Sequence, residues 1–275
     1  TALTPTAKFA VVTKSPLTGF IADSLSSSYF ALELKRAGID ALVITGRAAG
    51  MTYIFIHNDK VELRSAAHLR GKSPVECESL IRAELGTATA RVAAIGKAGE
   101  NKVRSATISN EGRHAGRGGV GAVMGSKNLK AVVLRGDHAT EVADPAGVET
   151  IAGALRERSL GSLTDKYRKI GTVANLAVFN RLGTLPTRNF QQSTFENAEA
   201  LSGETLTENN FSRRHGCAAC TIQCERLFKA LNGEEQRLEY ETLFALGPLC
   251  GMDNPDVVLR AAQLCDHYGM DTISA

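Results

Sequence analysis

The 275-residue sequence contains no Trp, only 5% aromatic residues and no strong excess of charge of either sign. Its 32 Lys and Arg residues nearly balance its 29 Asp and Glu residues, which leaves a formal net charge of +3. A nucleic-acid partner is therefore not expected, because such binding needs a concentrated basic surface. Internal repeats, low-complexity tracts and apolar runs of about 18 residues are absent as well, so the sequence predicts no membrane-spanning helix.

The remaining composition is typical of a globular chain. Hydrophobic residues make up 43% and charged residues 22%, which excludes wholesale disorder and provides for one large domain or two smaller ones. The chain begins at Thr1 without a Met, shows no secretory leader and stops at Ala275 directly after a helical pattern. We therefore expect it to be a central piece of a longer polypeptide.

The pattern of the sequence changes near residue 144. Before this point, short β-like runs alternate with Gly-rich turns, whereas helical periodicity dominates after it. We therefore expect an α+β fold, in which residues 1–143 form a domain with a mixed β-sheet and residues 144–275 form a mainly helical domain. Strands are expected at 9–12, 41–44, 53–57, 60–64, 91–95, 103–108 and 131–135, and helices at 28–37, 74–85, 145–160, 171–181, 240–250 and 255–268.

Residues 113–127 form a turn that is unusually rich in glycine: four of the six residues from 116 to 121 are Gly. Glycine lets backbone N–H groups approach an anion closely, and a helix that begins there adds its positive dipole end. Together with the charge of Arg117, this pattern favours a phosphate-bearing ligand. A tight packing corner between a strand and a helix is the alternative. The dinucleotide fingerprint at 116–121 is weak, because a helix of about nine residues is short for a βαβ crossover.

Three of the six cysteines lie together, as Cys217, Cys220 and Cys224. Closely spaced cysteines in a long, otherwise Cys-poor chain indicate metal ligation in a reducing compartment rather than disulfides, so the cytoplasm is the expected location. An iron–sulfur cluster needs four thiolates or equivalents. Zinc remains an alternative, with His215 as its fourth ligand. Cys250 and Cys265 are expected to be packed core thiols.

Two acids, Glu239 and Glu241, flank Tyr240 where an apolar helix is expected to begin. A carboxyl buried there would have a raised pKa and could donate or accept a proton. The alternative is that both acids stabilise the N-terminus of the helix.

Several stretches, in this order, resemble the tungsten- or molybdenum-dependent aldehyde ferredoxin oxidoreductases. They are residues 12–19 (Val-Thr-Lys-Ser-Pro-Leu-Thr-Gly), residues 115–130, the cluster of Cys217, Cys220 and Cys224, residues 239–242 with 246–248, and residues 266–271 (Asp-His-Tyr-Gly-Met-Asp). The resemblance covers essentially the whole chain. Members of that family are considerably longer, so the chain is similar to a central fragment of a divergent member.

The resemblance implies two cofactors: a tungsten or molybdenum ion held by the dithiolenes of two pterins (molybdopterin), and a nearby 4Fe–4S cluster. It implies that Cys217, Cys220 and Cys224 bind the cluster, with the fourth Cys beyond the chain end, and that Glu241 lines the metal pocket. Residues 1–143 would then be the pterin-binding domain. The residues implied in pterin binding are Ala115, Gly116, Arg117, Gly118, Asp266, Gly269, Met270 and Asp271.

Two positions depart from the family pattern. Lys8 stands where family members can carry an Arg that links the cluster to the pterin; it keeps the charge but loses the planar fork. Residues 24–27 read Ser-Leu-Ser-Ser where family members can show Asn and Gly.

The activity that the resemblance implies is oxidation of an aldehyde, or reduction of a related carboxyl-level substrate. Electrons would pass through the cluster to ferredoxin or a similar iron–sulfur carrier, and a homodimer is left open. The alternative hypothesis is a zinc-stabilised nucleotide-binding module without redox activity.

Overall fold

A computed structural model describes residues 6–27 and 29–275. The described chain forms two compact units, one of residues 6–145 with 266–275 and one of residues 146–265. A mixed sheet and many helices confirm the α+β class. The division into domains at residue 143 remains a prediction, to which the structure adds that residues 266–275 pack with the first unit.

The first unit contains most of the strands. They are β1 (Lys8–Lys14), β2 (Ile21–Ser27), β3 (Thr52–His57), β4 (Lys60–Ser65), β5 (Arg91–Ala94), β6 (Ile108–Asn110), β7 (Arg113–Ala115) and β8 (Leu129–Arg135). Its helices are α1 (Tyr29–Arg36), α2 (Pro74–Glu84), α3 (Lys97–Glu100) and α4 (Val120–Ser126), with a 3₁₀ turn at Ala67–Leu69.

A six-stranded sheet in the order β4-β3-β8-β5-β6-β7 organises this unit, with β3 and β8 parallel and every other pair antiparallel. Alternate residues of the central strand β8 point to opposite faces of the sheet. Val132 and Leu134 pack in a core with α1 and α4, and Ala131 and Val133 pack in a second core with α2. Strands β1 and β2 form a separate antiparallel ribbon.

Two of the expected strands differ from the structure. Residues 41–44 form no strand: Val43 is 82% exposed, and only Ile44 of this run packs against the core of the described residues. The strand expected at 103–108 begins only at Ile108. Strand β2 was not predicted, since its Ser and Asp residues lack the β-branched pattern that marks strands. The expected helix start at residue 28 lies outside the described residues.

The second unit is largely helical, as expected, but it also contains a small antiparallel sheet in the order β11-β10-β9. These strands are short and rich in charge, so no alternating apolar pattern marked them in the sequence. The helices are α5 (Pro145–Ser159), α6 (Asp165–Lys169), α7 (Asn175–Arg181), α8 (Gly203–Asn209), α9 (Tyr240–Leu246) and α10 (Pro255–Tyr268), and the strands are β9 (Phe211–His215), β10 (Glu225–Lys229) and β11 (Glu235–Leu238).

Short 3₁₀ turns at Ser162–Thr164, Thr172–Ala174, Ala198–Leu201 and Pro248–Cys250 complete the second unit. Within residues 6–27 and 29–275, no helix has the length and apolarity that crossing a membrane requires.

Candidate functional site

In the first unit, the chain brings the glycine-rich turn and the motif at residues 266–271 together. Residues 105–107 pair with residues 269–271, through an antiparallel bridge of Ala106 with Met270 and a 2.9 Å hydrogen bond from the N–H of Thr107 to the carbonyl of Gly269. The ideal Cβ position of Gly121 would lie 2.3 Å from the carbonyl oxygen of Thr107, so the same segment also packs on α4. One backbone segment therefore holds both motifs.

An ion pair joins the two motifs directly. Arg117 Nη1 donates to Asp271 Oδ2 at 2.7 Å, and the same oxygen accepts hydrogen bonds from the backbone N–H and the hydroxyl of Ser274. The Asp271 carboxyl is buried, whereas the Arg117 side chain is 57% exposed. The backbone N–H of Arg117 donates to Ser24 Oγ at 3.2 Å. The guanidinium is thus anchored at one nitrogen and open to a further anionic partner.

The other acid of the motif, Asp266, faces a histidine to which sequence reasoning assigned no role. His114 Nε2 lies 3.2 Å from Asp266 Oδ1, an ion-pair distance without hydrogen-bond geometry, and Nε2 is buried. The Nδ1 atom of the same ring is 2.8 Å from Ser109 Oγ. In the sequence, His114 is marked by its place directly before Ala115 in the glycine-rich stretch. In the structure, Ala115 is the buried last residue of β7.

The glycines of the turn divide into two groups. At Gly119, Gly121 and Gly125 an added Cβ would lie between 1.8 and 2.3 Å from a backbone oxygen, so the packing alternative accounts for these three. Gly118 has a φ of +84°, which disfavours a side chain. At Gly116, by contrast, the only atom of the described residues within 4 Å of an added Cβ would be Asp271 Oδ1, at 4.0 Å. The backbone at 116 therefore borders open space, where a ligand can approach it.

Two predicted residues lie on the surface of their units. Lys8 begins β1, opposite Ser27 of β2, and is exposed. Glu241 lies in the first turn of α9 and is exposed, so the burial that the sequence argument assumed for this carboxyl is not observed. Burial instead raises the pKa of its neighbour Tyr240 to about 12, and the charge of Glu241 contributes to that rise.

In the second unit, Cys217, Cys220 and Cys224 lie on the loop between β9 and β10. None of the three forms a disulfide, all three are partly buried, and the N–H of Cys220 donates to the carbonyl of Cys217. Ala219 and Gln223, which directly precede Cys220 and Cys224, have left-handed backbones with φ of 58° and 48°. Non-glycine residues rarely adopt this conformation, and such strain concentrates at functional sites.

The donor chemistry of this loop fits an iron–sulfur cluster, since three cysteines outside any disulfide can supply three of the four thiolates that a 4Fe–4S cluster needs. Among the residues that the structure describes, no group of three or more His, Cys, Asp and Glu side chains is arranged to hold a metal ion. His215 Nδ1 is instead 3.0 Å from Glu225 Oε2. The absence of such a group among the described residues applies to iron and zinc alike, and the carboxylate contact at His215 Nδ1 leaves Nε2 available as a ligand.

The two cysteines expected in the core have different outcomes. Cys265 is buried as predicted, whereas Cys250 is exposed, so that prediction was wrong. Cys250 ends the 3₁₀ turn Pro248–Cys250, and the next residue, Gly251, has a left-handed backbone.

Comparisons with known proteins support the family resemblance and do not favour the zinc-stabilised module. Residues 1–136 match the model of the aldehyde ferredoxin oxidoreductase N-terminal domain, and residues 150–275 match the model of domains 2 and 3 of the same enzymes. The chain is 44% identical, over 97% of its length, to a tungsten-containing aldehyde ferredoxin oxidoreductase of Pyrococcus abyssi. It is 32% identical, over 98% of its length, to an aliphatic sulfonate oxidoreductase WOR-like subunit of Pyrococcus furiosus.

Among solved structures, the chain is similar to the active-site complex BamBC of benzoyl coenzyme A reductase, with a TM-score of 0.79 and 30% identity. That match covers 99% of this chain and 44% of the other. The chain likewise spans 45% of the Pyrococcus abyssi protein and 46% of the Pyrococcus furiosus subunit. Because models of both parts of one enzyme family match nearly all of its length, the chain belongs to the aldehyde ferredoxin oxidoreductase family.

Proposed function

We propose that this chain is part of an oxidoreductase that oxidises an aldehyde, or reduces a related carboxyl-level substrate, at a tungsten or molybdenum pterin centre. The observation that carries the proposal is the ion pair between Arg117 and Asp271. It joins the glycine-rich turn to a motif 154 positions away in the sequence. In a chain of this family, that junction is where a pterin and its phosphate would bind.

The proposed pterin site uses the backbone and the charged groups of the first unit. The open backbone at Gly116 and the exposed part of the Arg117 guanidinium suit a phosphate, because guanidinium binds oxyanions through several parallel hydrogen bonds. Asp266 and Asp271 offer carboxylate oxygens to the amino groups of the ring. Gly118 and Met270, which are partly buried, would supply small or apolar contacts, and Lys8 would supply a further positive charge. Ala115 and Gly269 are buried and would shape the site through their backbone.

In the second unit, Cys217, Cys220 and Cys224 would hold three corners of a 4Fe–4S cluster, with the fourth thiolate outside residues 1–275. When bound, the pterin-held metal supplies two-electron chemistry and the cluster supplies one-electron transfer to ferredoxin or a similar carrier. The chain itself orients these groups, and Glu241 would hold or move a proton at the substrate. A cytoplasmic location and a homodimer remain predictions.

The test uses the intact protein, purified without oxygen. We expect tungsten or molybdenum, pterin and about four cluster irons per chain, together with aldehyde-dependent reduction of ferredoxin. An aromatic acyl-CoA thioester and an aliphatic sulfonate serve as comparison substrates, since two similar proteins are named for such compounds. Purified protein that holds zinc, no pterin and no iron–sulfur absorbance would overturn the proposal.

A further inference from the structure

Among residues 6–27 and 29–275, Arg226 is the largest fully buried side chain, at 1% exposure. It lies two residues after Cys224, on β10, the central strand of the small sheet. An Arg is rarely buried so completely unless it is paired, because removing its charge from water is unfavourable. Its position therefore calls for a partner.

The hydrogen bonds of Arg226 converge on the backbone of the cysteine loop. Nη1 donates to the carbonyl oxygen of Gln223 at 3.1 Å and to that of Glu225 at 3.2 Å. These two residues flank Cys224 on either side. Nη2 donates to the carbonyl of Arg168, at the end of α6. The planar fork thus holds the backbone on both sides of Cys224 and ties it to a neighbouring helix.

The hydrogen-bonding capacity of Arg226 is not fully used. Its Nε is buried and has no hydrogen-bond partner among residues 6–27 and 29–275. Stability alone does not explain such a residue, since an apolar side chain of similar size often serves a buried position as well or better.

We propose that Arg226 is a positioning residue for the iron–sulfur cluster, an inference that rests on the proposed function. Its fork fixes the peptide on both sides of Cys224, so that the thiolate is held toward the cluster. Its positive charge also offsets the negative charge of the thiolate-ligated cluster, which is one of the factors that set the reduction potential of such clusters. Groups of this kind, one shell beyond the ligands, commonly change metal affinity by 10- to 100-fold.

The experiment compares Arg226→Met, which removes both the fork and the charge, with Arg226→Lys, which keeps the charge only. Arg213→Met is the matched control, because Arg213 lies on the neighbouring strand β9 but is exposed and paired with Glu235. In the intact protein we would measure iron per chain, the rate of iron loss to a chelator, the midpoint potential of the cluster by EPR-monitored titration, and the melting temperature.

We expect Arg226→Met to lose iron about tenfold faster than the wild-type protein and its remaining clusters to have a more negative midpoint potential. Arg226→Lys is expected to lose iron faster while keeping a potential close to that of the wild type. Arg213→Met should match the wild type in the rate of iron loss and in the midpoint potential. A purely structural role would lower the melting temperature but leave the potential of the remaining clusters unchanged.

The outcomes separate the two proposals. A wild-type protein without a 4Fe–4S cluster would overturn both the proposed function and this inference. A wild-type cluster with unchanged iron loss and potential in Arg226→Met would overturn this inference alone. If Arg226→Met does not fold, Arg226→Lys decides: faster iron loss at an unchanged melting temperature supports the role, and a wild-type rate refutes it.

Discussion

The glycine-rich turn of the first unit and the cysteine loop of the second differ in how the chain holds them. At Gly119, Gly121 and Gly125 the backbone packs so closely on its neighbours that no side chain fits. The cysteine loop is instead shaped by two left-handed residues and the hydrogen bonds of one buried Arg. Packing therefore shapes the first site, whereas polar contacts and strained turns shape the second, which makes the second more sensitive to its ligand.

The largest expected effect tests the cysteine loop. Cys220→Ser removes one thiolate, so the intact protein should lose most of its cluster iron and its visible iron–sulfur absorbance, because the cluster depends on its thiolates. Iron analysis and absorbance measure the loss, and circular dichroism checks the fold. Cys250→Ser is the control, since Cys250 is also accessible but lies outside the loop. Equal iron content in both variants would contradict the assignment.

Next in size is the effect of Glu241→Gln on turnover. If Glu241 moves a proton at the substrate, the kcat of the Glu241→Gln variant should be about 10²-fold or more below that of the wild type, because this is the usual contribution of a general acid or base. The matched control is Glu204→Gln, because Glu204 also lies exposed in the first turn of a helix. Steady-state kinetics with an aldehyde decide the matter, and equal kcat values for the two variants would remove Glu241 from the reaction.

Two Gly→Ala substitutions are expected to change stability in opposite directions, one in the glycine-rich turn and one in helix α5. Gly121→Ala would place a Cβ 2.3 Å from the carbonyl oxygen of Thr107, so it should destabilise the protein by about 1–3 kcal/mol or more. Gly153→Ala meets nothing within 4 Å in the exposed helix α5 and should stabilise by about 0.5–1 kcal/mol. Chemical denaturation measures both, and a neutral Gly121→Ala would show that the turn is not rigidly packed.

The first unit also contains a carboxyl whose protonation should affect stability. Burial raises the pKa of Glu78 to about 7, although a hydrogen bond from the N–H of Glu111 and the charge of Arg82 oppose the rise. The folded-state pKa lies above the ordinary value of 4.5, so the folded state binds this proton more tightly than the unfolded state. The protonated Glu78 carboxyl therefore contributes fully to the unfolding free energy below pH 4.5, and the contribution is lost as pH rises through about 7.

We therefore expect the unfolding free energy of the wild type to fall, relative to Glu78→Gln, by on the order of 3 kcal/mol across that pH window. Denaturation curves at a series of pH values measure the difference, with the exposed Glu62→Gln as the control. A difference between wild type and Glu78→Gln that does not vary with pH would disprove the linkage.

A small effect is expected at the start of α2, where Ser73 and Glu76 form a reciprocal capping box. Hydrogen bonds from the Ser73 backbone and side chain lower the pKa of Glu76 to about 2. The stabilising contribution of the ionised Glu76 carboxylate is therefore lost as pH falls from 4.5 toward about 2. Ser73→Ala should cost about 1 kcal/mol near neutral pH. Ser79→Ala on the same helix should cost less, and equal losses in thermal or chemical unfolding would argue against the cap.

Local patterns explain which elements the sequence predicted well. Helix α2 was predicted within one residue, because Pro74 and Gly86 mark its two ends. Strand β8 is buried along nearly its whole length, and its continuous apolar run predicted it from residue 131. The strand expected at 41–44 also has an apolar run, but it pairs with no strand among residues 6–27 and 29–275. The strands of the second unit carry too much charge to be recognised without their partners.

The sequence by itself determined the α+β class, the glycine-rich turn and the close spacing of three thiols, because composition, periodicity and spacing are local properties of the chain. Only the tertiary structure decided that Gly116 borders open space while Gly121 is packed, that His114 faces Asp266, and that Arg226 is buried beside Cys224. The physical reason is distance along the chain: whether Arg117 reaches Asp271 depends on the path of the 153 residues between them, which local patterns do not specify.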